Sequence, residues 1–350
     1  MKILFLTNQL LNVCGVTKHF YHLLKGLREF YPDNEYFVIC GGGNVIEKFE
    51  KEGIKVIVNK NIKHETRSVG GYLKAMSDIY GFVKKNNIDI IHSHHHYAAS
   101  IADKISKIAN VKTILTTHGL LPEIGRLNHF SAEHIIAVNE HIFEYVKKQT
   151  NGKHVYLVRN GINEYSFISP KANKMMVVVA SRLVYDKGID IFIKAVSLLP
   201  KSITEQVDFI IAGDGENKRD YLKLNTELNT KIIFIGIVEN TQKLLNKSHI
   251  LVNPTCSIEG FPTILVEAGL QKNLIVSSNF FGHDFILKDK ENCLIFNQGD
   301  IISLKEKLII AINEYSSNEE IIDKFYSQCK KLYSVEGMIK KIKGIYEFAQ

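Results

Sequence analysis

Short runs of β-branched and other apolar residues recur along the chain and alternate with segments whose apolar positions return every third or fourth residue. In the first half Lys2–Thr7, Tyr36–Cys40, Lys55–Val58, Asp89–His92, Thr113–Thr117, Ile135–Val138 and Val155–Val158 read as strands. Several are unbroken apolar runs, the pattern of parallel strands covered on both faces. Between them Val16–Phe30, Gly71–Asn86, Tyr97–Ala109 and Glu140–Thr150 carry helical spacing, as in Phe20, Leu23, Leu24 and Leu27. After a polar stretch near 160–172, a second series predicts strands at 175–181, 207–212, 231–236, 250–253, 274–277 and 293–296. Helices are predicted near 187–199, 216–228, 239–247, 261–271 and 302–315. Two helical segments, near 319–332 and 335–348, end the chain with no strand between them. The alternation predicts two doubly wound α/β domains. We expect an N-terminal domain over 1–165, a second over 166–335, and a closing helix over 336–350 that packs back on the first. Ligand sites then fall at the carboxyl ends of the strands, where helix N-termini and strand-to-helix loops gather.

The length of 350 residues fits two domains, and 45% apolar with 23% charged residues is an ordinary globular composition. No apolar stretch reaches the ~18 residues that a membrane-spanning helix needs, and Met1–Asn8 reads as a buried first strand, so the expected location is the cytoplasm. Five cysteines, none in a C-x2-C pair, read as free thiols. The net charge of +7 is uneven: residues 1–165 hold 21 basic and 15 acidic residues, residues 166–350 hold 23 and 22. No aromatic-basic strand motif accompanies the excess, which argues against nucleic acid; an anionic membrane surface or a phosphorylated substrate fits it.

The loop after the first strand contains Gly15 but no G-x-G-x-x-G, and Gly41-Gly42-Gly43 stands where a dinucleotide site would want an acid. Gly15 reads either as a turn glycine or as a place where backbone N–H groups approach a phosphate. The strongest local signal is Ser257-Ile258-Glu259-Gly260-Phe261-Pro262-Thr263-Ile264-Leu265-Val266-Glu267. With Pro262 in the first turn of a helix, Glu267 lies about a turn and a half inside it among apolar residues. A buried acid must be paired or hydrogen-bonded, and two sugar hydroxyls can donate to its two oxygens. The amides from Gly260 to Thr263 open that helix and suit an anion or a sugar hydroxyl. In Ala180-Ser181-Arg182-Leu183-Val184-Tyr185-Asp186-Lys187-Gly188, two cations at a strand end can clamp a diphosphate, Arg182 as a fork and Lys187 as a point charge. Each is otherwise an ordinary surface cation. Gly213-Asp214-Gly215 and Phe234-Ile235-Gly236-Ile237-Val238 are strands running into glycine loops, the second placed to offer backbone groups near Ile237 to a flat base.

In this order the motifs resemble the retaining nucleotide-sugar glycosyltransferases of family 4, which have the GT-B fold of two Rossmann-like domains facing across a cleft. Asp89–His94, Thr116-Thr117-His118-Gly119-Leu120 and Val158–Asn163 extend the resemblance through the first half. It implies that Arg182 and Lys187 hold the donor diphosphate, Glu267 the ribose hydroxyls, and Glu259 with the following amides the donor sugar. It places His118 at the sugar from the N-terminal domain and Gly15 at the phosphate; a strand-end histidine bonded to backbone is the plainer reading of His118. Cys14 stands where a second glycine is usual, and Ala180 where a glycine commonly precedes the Ser-Arg step. Pro262 resembles a branch acting in bacterial capsule, lipopolysaccharide and exopolysaccharide assembly.

The implied activity is transfer of a hexosyl-type unit from a UDP- or GDP-type sugar to a glycan or lipid-linked acceptor, with retention and with no cofactor or metal. The chain has no Asp-x-Asp, the usual carboxylate pair that holds a divalent ion against a diphosphate. His92, His94, His95 and His96 invite a zinc reading, but no acid or cysteine completes an obvious ligand set, and they read instead as acceptor contacts or a polar strand end. The rival readings are an epimerase and an inactive nucleotide-sugar-binding subunit.

Overall fold

The computed structural model describes residues 1–12, 14–120, 130–150, 152–165 and 170–349. These fall into two compact units, 1–163 with 334–350 and 164–333; residues 166–169 of the expected linker stretch lie outside the described residues. The first unit runs β1 (Lys2–Thr7), α1 (Gly15–Phe30), β2 (Glu35–Cys40), α2 (Ile46–Lys51), β3 (Lys55–Val58), α3 (Val69–Asn86), β4 (Ile90–Ser93), α4 (His96–Ala109), β5 (Lys112–Thr117), β6 (His134–Ala137), α5 (Glu140–Gln149) and β7 (His154–Leu157). The second runs β8 (Met175–Ala180), α6 (Ile189–Ser197), α7 (Lys201–Thr204), β9 (Val207–Ala212), α8 (Lys218–Glu227), β10 (Ile233–Gly236), α9 (Thr241–Lys247), β11 (Ile250–Asn253), α10 (Thr263–Leu270), β12 (Leu274–Ser278), β13 (Leu294–Phe296), α11 (Ile301–Asn313) and α12 (Glu319–Leu332). The last helix, α13 (Val335–Ala349), belongs to the first unit.

Both sheets are parallel, in the orders β3-β2-β1-β4-β5-β6-β7 and β10-β9-β8-β11-β12-β13. The order reverses between β1 and β4 in the first and between β8 and β11 in the second. At such a switch point the connecting helices leave toward opposite faces and a crevice opens outside the carboxyl ends of the strands.

Alternation along β1 shows why both faces need cover: Ile3 and Phe5 enter one apolar layer with α1 and α13, Leu4 and Leu6 the other with α3 and α4. Gly26 lets α13 lie close on α1, since a Cβ there would be 2.7 Å from Val335 Cγ1 and 2.8 Å from Ile339 Cγ1. His92, fully buried on β4, is held from both sides, Nδ1 against the Tyr346 hydroxyl of α13 and Nε2 against Thr116, each at 2.7 Å. The strands and long helices agree with the sequence pattern to within two residues or so. The short α2 and α7 escape it because each buries a single apolar residue, Phe49 and Ile203, and one residue makes no period. Among the described residues no helix is long and apolar enough to cross a membrane.

Candidate functional site

The two switch points carry the sequence-predicted residues as two separate clusters, one in each unit. In the second unit the loop after β8 delivers Arg182 and Lys187, and the loop after β11 delivers Glu259 to Thr263. Lys187 does not open the following helix as the spacing suggested. It ends a 3-10 turn, and Gly188 then breaks the direction with φ +63° before α6 begins. Glycine is required there twice over, because a Cβ would also lie 2.0 Å from the Pro254 carbonyl oxygen. This close approach ties the two loops together. Cys256 N donates to Asp186 O at 2.8 Å, and the fully buried Thr255 hydroxyl donates to the same oxygen at 3.2 Å.

Across that seam the Lys187 ammonium donates to Glu259 Oε1 at 2.5 Å, and Thr255 Oγ1 reaches the same oxygen at 3.3 Å. Both charged side chains are mostly covered, 14% and 20% exposed. Arg182 stands apart: it is exposed and has no side-chain partner among the described residues. Pro262 caps α10 and Thr263 is its first residue, so Glu267 lies in the helix's second turn. Glu267 is fully buried and receives the hydroxyl of Thr241 from the first turn of α9. Phe261 packs edge-on against Tyr333, centroids 5.4 Å apart.

The glycine loops differ in kind. At Gly213, φ is +139° and a Cβ would lie 1.9 Å from Ser181 O, so close packing of the loops after β8 and β9 alone demands glycine. Gly213 N also donates to Gly236 O at 2.7 Å, which fixes the turn before the exposed Ile237. Gly15 is the opposite case. Its φ is not left-handed and a Cβ would meet nothing within 4 Å, so neither the backbone nor the packing requires glycine there. It opens α1, whose Cys14 cap contributes no side-chain hydrogen bond.

In the first unit the ends of β1, β4 and β5 enclose a pocket of about 350 Å³ lined by Asn8, Cys14, Glu65, His94, His95, Thr117 and His118, among others. The histidine run divides by role. His92 belongs to the core, His95 caps α4 by accepting from Tyr97 N at 3.3 Å, and His94 turns its Nδ1 to His118 Nε2 at 3.2 Å. His19, from the second turn of α1, packs edge-on against His118 with centroids 4.9 Å apart. Sequence reasoning passed over His19, although its place four residues after Gly15 points it toward the same strand ends. Burial, with neighbouring histidines adding to it, pushes His118 down to about 3 and holds His19 and His94 well below the ordinary range.

Two family models match: "Glycosyltransferase Family 4" over residues 13–164 and "Glycosyl transferases group 1" over residues 162–328. A Campylobacter jejuni GalNAc-α-(1→4)-GalNAc-α-(1→3)-diNAcBac-PP-undecaprenol α-1,4-N-acetyl-D-galactosaminyltransferase is 31% identical over 170 residues, 48% of this chain and 47% of that protein. The gpi3 subunit of the Schizosaccharomyces pombe phosphatidylinositol N-acetylglucosaminyltransferase is 25% identical over 76% of this chain and 62% of its own length. The chain thus spans about half of the first relative and less than two thirds of the second. In fold, the chain is similar to Anabaena Alr3699/HepE in complex with UDP and glucose, with TM-score 0.83, 18% identity and 99% of each chain covered.

The buried histidines set an acid limit on the first unit. Their pKa values are lowered by folding, His92 and His118 to about 3, so between pH 6.5 and about 3 the unfolded chain binds protons that the native one refuses. Stability should therefore fall as pH drops below 6.5, by about 1.4 kcal/mol per pH unit for each such histidine. Urea midpoints measured at pH 7.5, 6.0 and 5.0 should decline, most steeply over the last step. A flat profile would show that the imidazoles reach solvent.

Proposed function

The chain belongs to the family 4 glycosyltransferases, a GT-B family, and on that premise we propose that it transfers a sugar from a UDP- or GDP-type donor to a sugar hydroxyl of a lipid-linked or oligosaccharide acceptor. The setting we propose is bacterial surface polysaccharide assembly; the bacterial relative's own name describes a polyprenyl-diphosphate-linked glycan as its substrate. The observation that carries the reading is the Lys187–Glu259 pair at the switch point of the second unit, with Arg182 exposed and unpaired among the described residues five positions earlier.

On this reading the pair is a donor site at rest. Lys187 has three N–H donors and spends one on Glu259, so it can take a phosphate oxygen while still orienting the carboxylate. Arg182 adds a bidentate fork. Together they neutralise the negative charge that grows on the departing diphosphate. Glu259 and the Gly260–Thr263 amides face the sugar hydroxyls, and Gly15 leaves room for a phosphate to reach the uncapped start of α1. Glu267 takes the ribose hydroxyls, which must join or displace the Thr241 hydroxyl to reach it. Gly213 holds the loop that backs the diphosphate, and the backbone near Ile237 meets the base.

Retention is what the family reading implies, and His118 agrees with it. A general base works best with a pKa near the working pH, and an imidazole pushed down to about 3 has too little proton affinity to deprotonate an acceptor hydroxyl. It remains a neutral hydrogen-bonding partner for the sugar. The leaving phosphate then takes the acceptor proton on the same face of the ring, which gives retention.

We place the protein in the cytoplasm, against the membrane. Among the described residues the pocket of the first unit is lined by no lysine or arginine, and Lys60, Arg67 and Lys74 are exposed outside it. Val69 and Leu73, one turn apart on α3, are 80% and 55% exposed beside Lys60, Arg67 and Lys74. That pairing of apolar anchors with cations suits an anionic lipid surface.

Three measurements test these statements. Arg182→Ala and Lys187→Ala should each lose roughly 10²- to 10³-fold in turnover, with unchanged circular dichroism and a weaker UDP- or GDP-sugar thermal shift; activity within about threefold of wild type in both would reject the diphosphate assignment. Turnover should persist in excess EDTA and the product's anomeric proton should report the donor's configuration. Loss restored by Mn²⁺, or a β product from an α donor, would overturn the metal-free and retaining assignments respectively. The protein should sediment with anionic but not neutral vesicles at low salt, at about 1 kcal/mol per engaged cation, and a Val69→Glu/Leu73→Glu variant should stay in the supernatant. Wild type left in the supernatant with both vesicle types ends the membrane reading.

A further inference from the structure

His19, His94 and His118 come from α1 and from the ends of β4 and β5, and one ring nitrogen of each lies within 4.8 Å of the others. Three observations set this trio apart from an ordinary aromatic cluster. His94 Nδ1 and His118 Nε2 are 3.2 Å apart, close to the separation of about 3.3 Å between two ligands of a tetrahedral ion with metal–nitrogen bonds of ~2.0–2.1 Å. His19 is 2% exposed and neither of its ring nitrogens has a hydrogen-bond partner among the described residues, a costly state for a buried polar group. His94 and His118 also line the pocket, beside Cys14, Thr117 and Glu65, while Phe5 and Phe20 close the cluster from the core side.

We propose that His19, His94 and His118 form a three-histidine cage for a divalent transition ion of the zinc, cobalt or nickel class, with a fourth position open to the pocket. Neutral imidazole is the ligand form, and burial keeps these rings neutral at physiological pH, so protons do not compete for the nitrogens. With no carboxylate in the trio, the cage selects against magnesium and calcium, which want oxygen. His92, engaged on both nitrogens by Tyr346 and Thr116, and His95, engaged with the start of α4, lie outside it. The ion is an antagonist rather than a cofactor. On the proposed reading His118 faces the donor sugar, and an ion that takes its nitrogen withdraws it, so zinc should inhibit transfer and EDTA should relieve that inhibition.

The test uses the untagged full chain and reads binding without activity. Titration with Co²⁺ should give one equivalent per chain with the intense visible bands of low-coordinate cobalt, and Zn²⁺ should bleach them. His19→Gln and His94→Gln should weaken binding by about tenfold or more, a loss that even outer-sphere changes produce. His64→Ala, a histidine outside the trio, should leave it unchanged, and near-UV circular dichroism establishes that each variant is folded. No stoichiometric cobalt bands in the wild type, or bands unaltered in folded His19→Gln and His94→Gln, would overturn the cage. Cobalt bands without zinc inhibition would keep the cage and remove His118 from the sugar site.

Discussion

A parallel sheet has to be covered on both faces, and its strands can be joined only by crossovers that place every strand-to-helix loop at one edge. Most of what this chain does structurally follows from that constraint. In the first unit α3 and α4 cover one face of the sheet, but α1 does not complete the other. The chain's last helix does so, bringing Val335, Met338, Ile339, Ile342 and Ile345 into the same apolar layer as Ile3, Phe5 and Phe20. The His92–Tyr346 hydrogen bond fixes the seat of that helix, because a buried imidazole and a buried phenol each cost more apart than together. The first domain is thus discontinuous in sequence, and its core is finished by residues that follow the whole of the second.

The same constraint gives each unit one favoured place for chemistry, and the two places have opposite electrostatic character. In the second unit the switch point holds an ion pair between two loops joined by a glycine contact too close for any side chain, with an exposed arginine, unpaired among the described residues, nearby in sequence. In the first it holds neutral imidazoles above aromatic rings. A mostly covered ion pair such as Lys187–Glu259 contributes little net stability once desolvation is counted. On the proposed reading its value lies in keeping a cation and a carboxylate oriented before the donor arrives. Preorganisation of this kind is what stabilises charge developing in a transition state.

Sequence reasoning found the strands because continuous apolar runs bounded by glycine and asparagine leave few alternatives, and it found the long helices by their apolar period. It found Arg182, Lys187, Glu259 and Glu267 as motif members, yet not that Lys187 and Glu259 join, because residues 72 apart meet only through strand order. The glycine at 213 shows in the sequence only as part of a glycine loop after a strand, and its requirement proves to lie in loop-on-loop packing against Ser181. The glycine at 15 could have been a turn and is not one. His19 was invisible for a different reason. On a helix it is one polar residue among others, and only the placing of α1 over the ends of β4 and β5 turns its ring toward His94 and His118.

The basic excess can be set against the described walls of the first unit's pocket. Residues 1–165 carry the basic excess, and a phosphorylated substrate held inside the first unit would need some of it near the pocket. Among the described residues the pocket walls instead offer imidazole, amide and hydroxyl groups with one acid, Glu65, held by Asn8 at 3.0 Å. Such walls hydrogen-bond neutral sugar hydroxyls. The cations stand outside, on the exposed 3-10 turns before α3 and on α3 itself, next to exposed valine and leucine. On the proposed reading, an acceptor whose sugar enters this pocket while its lipid end stays outside, near those cations, satisfies both halves of the surface at once.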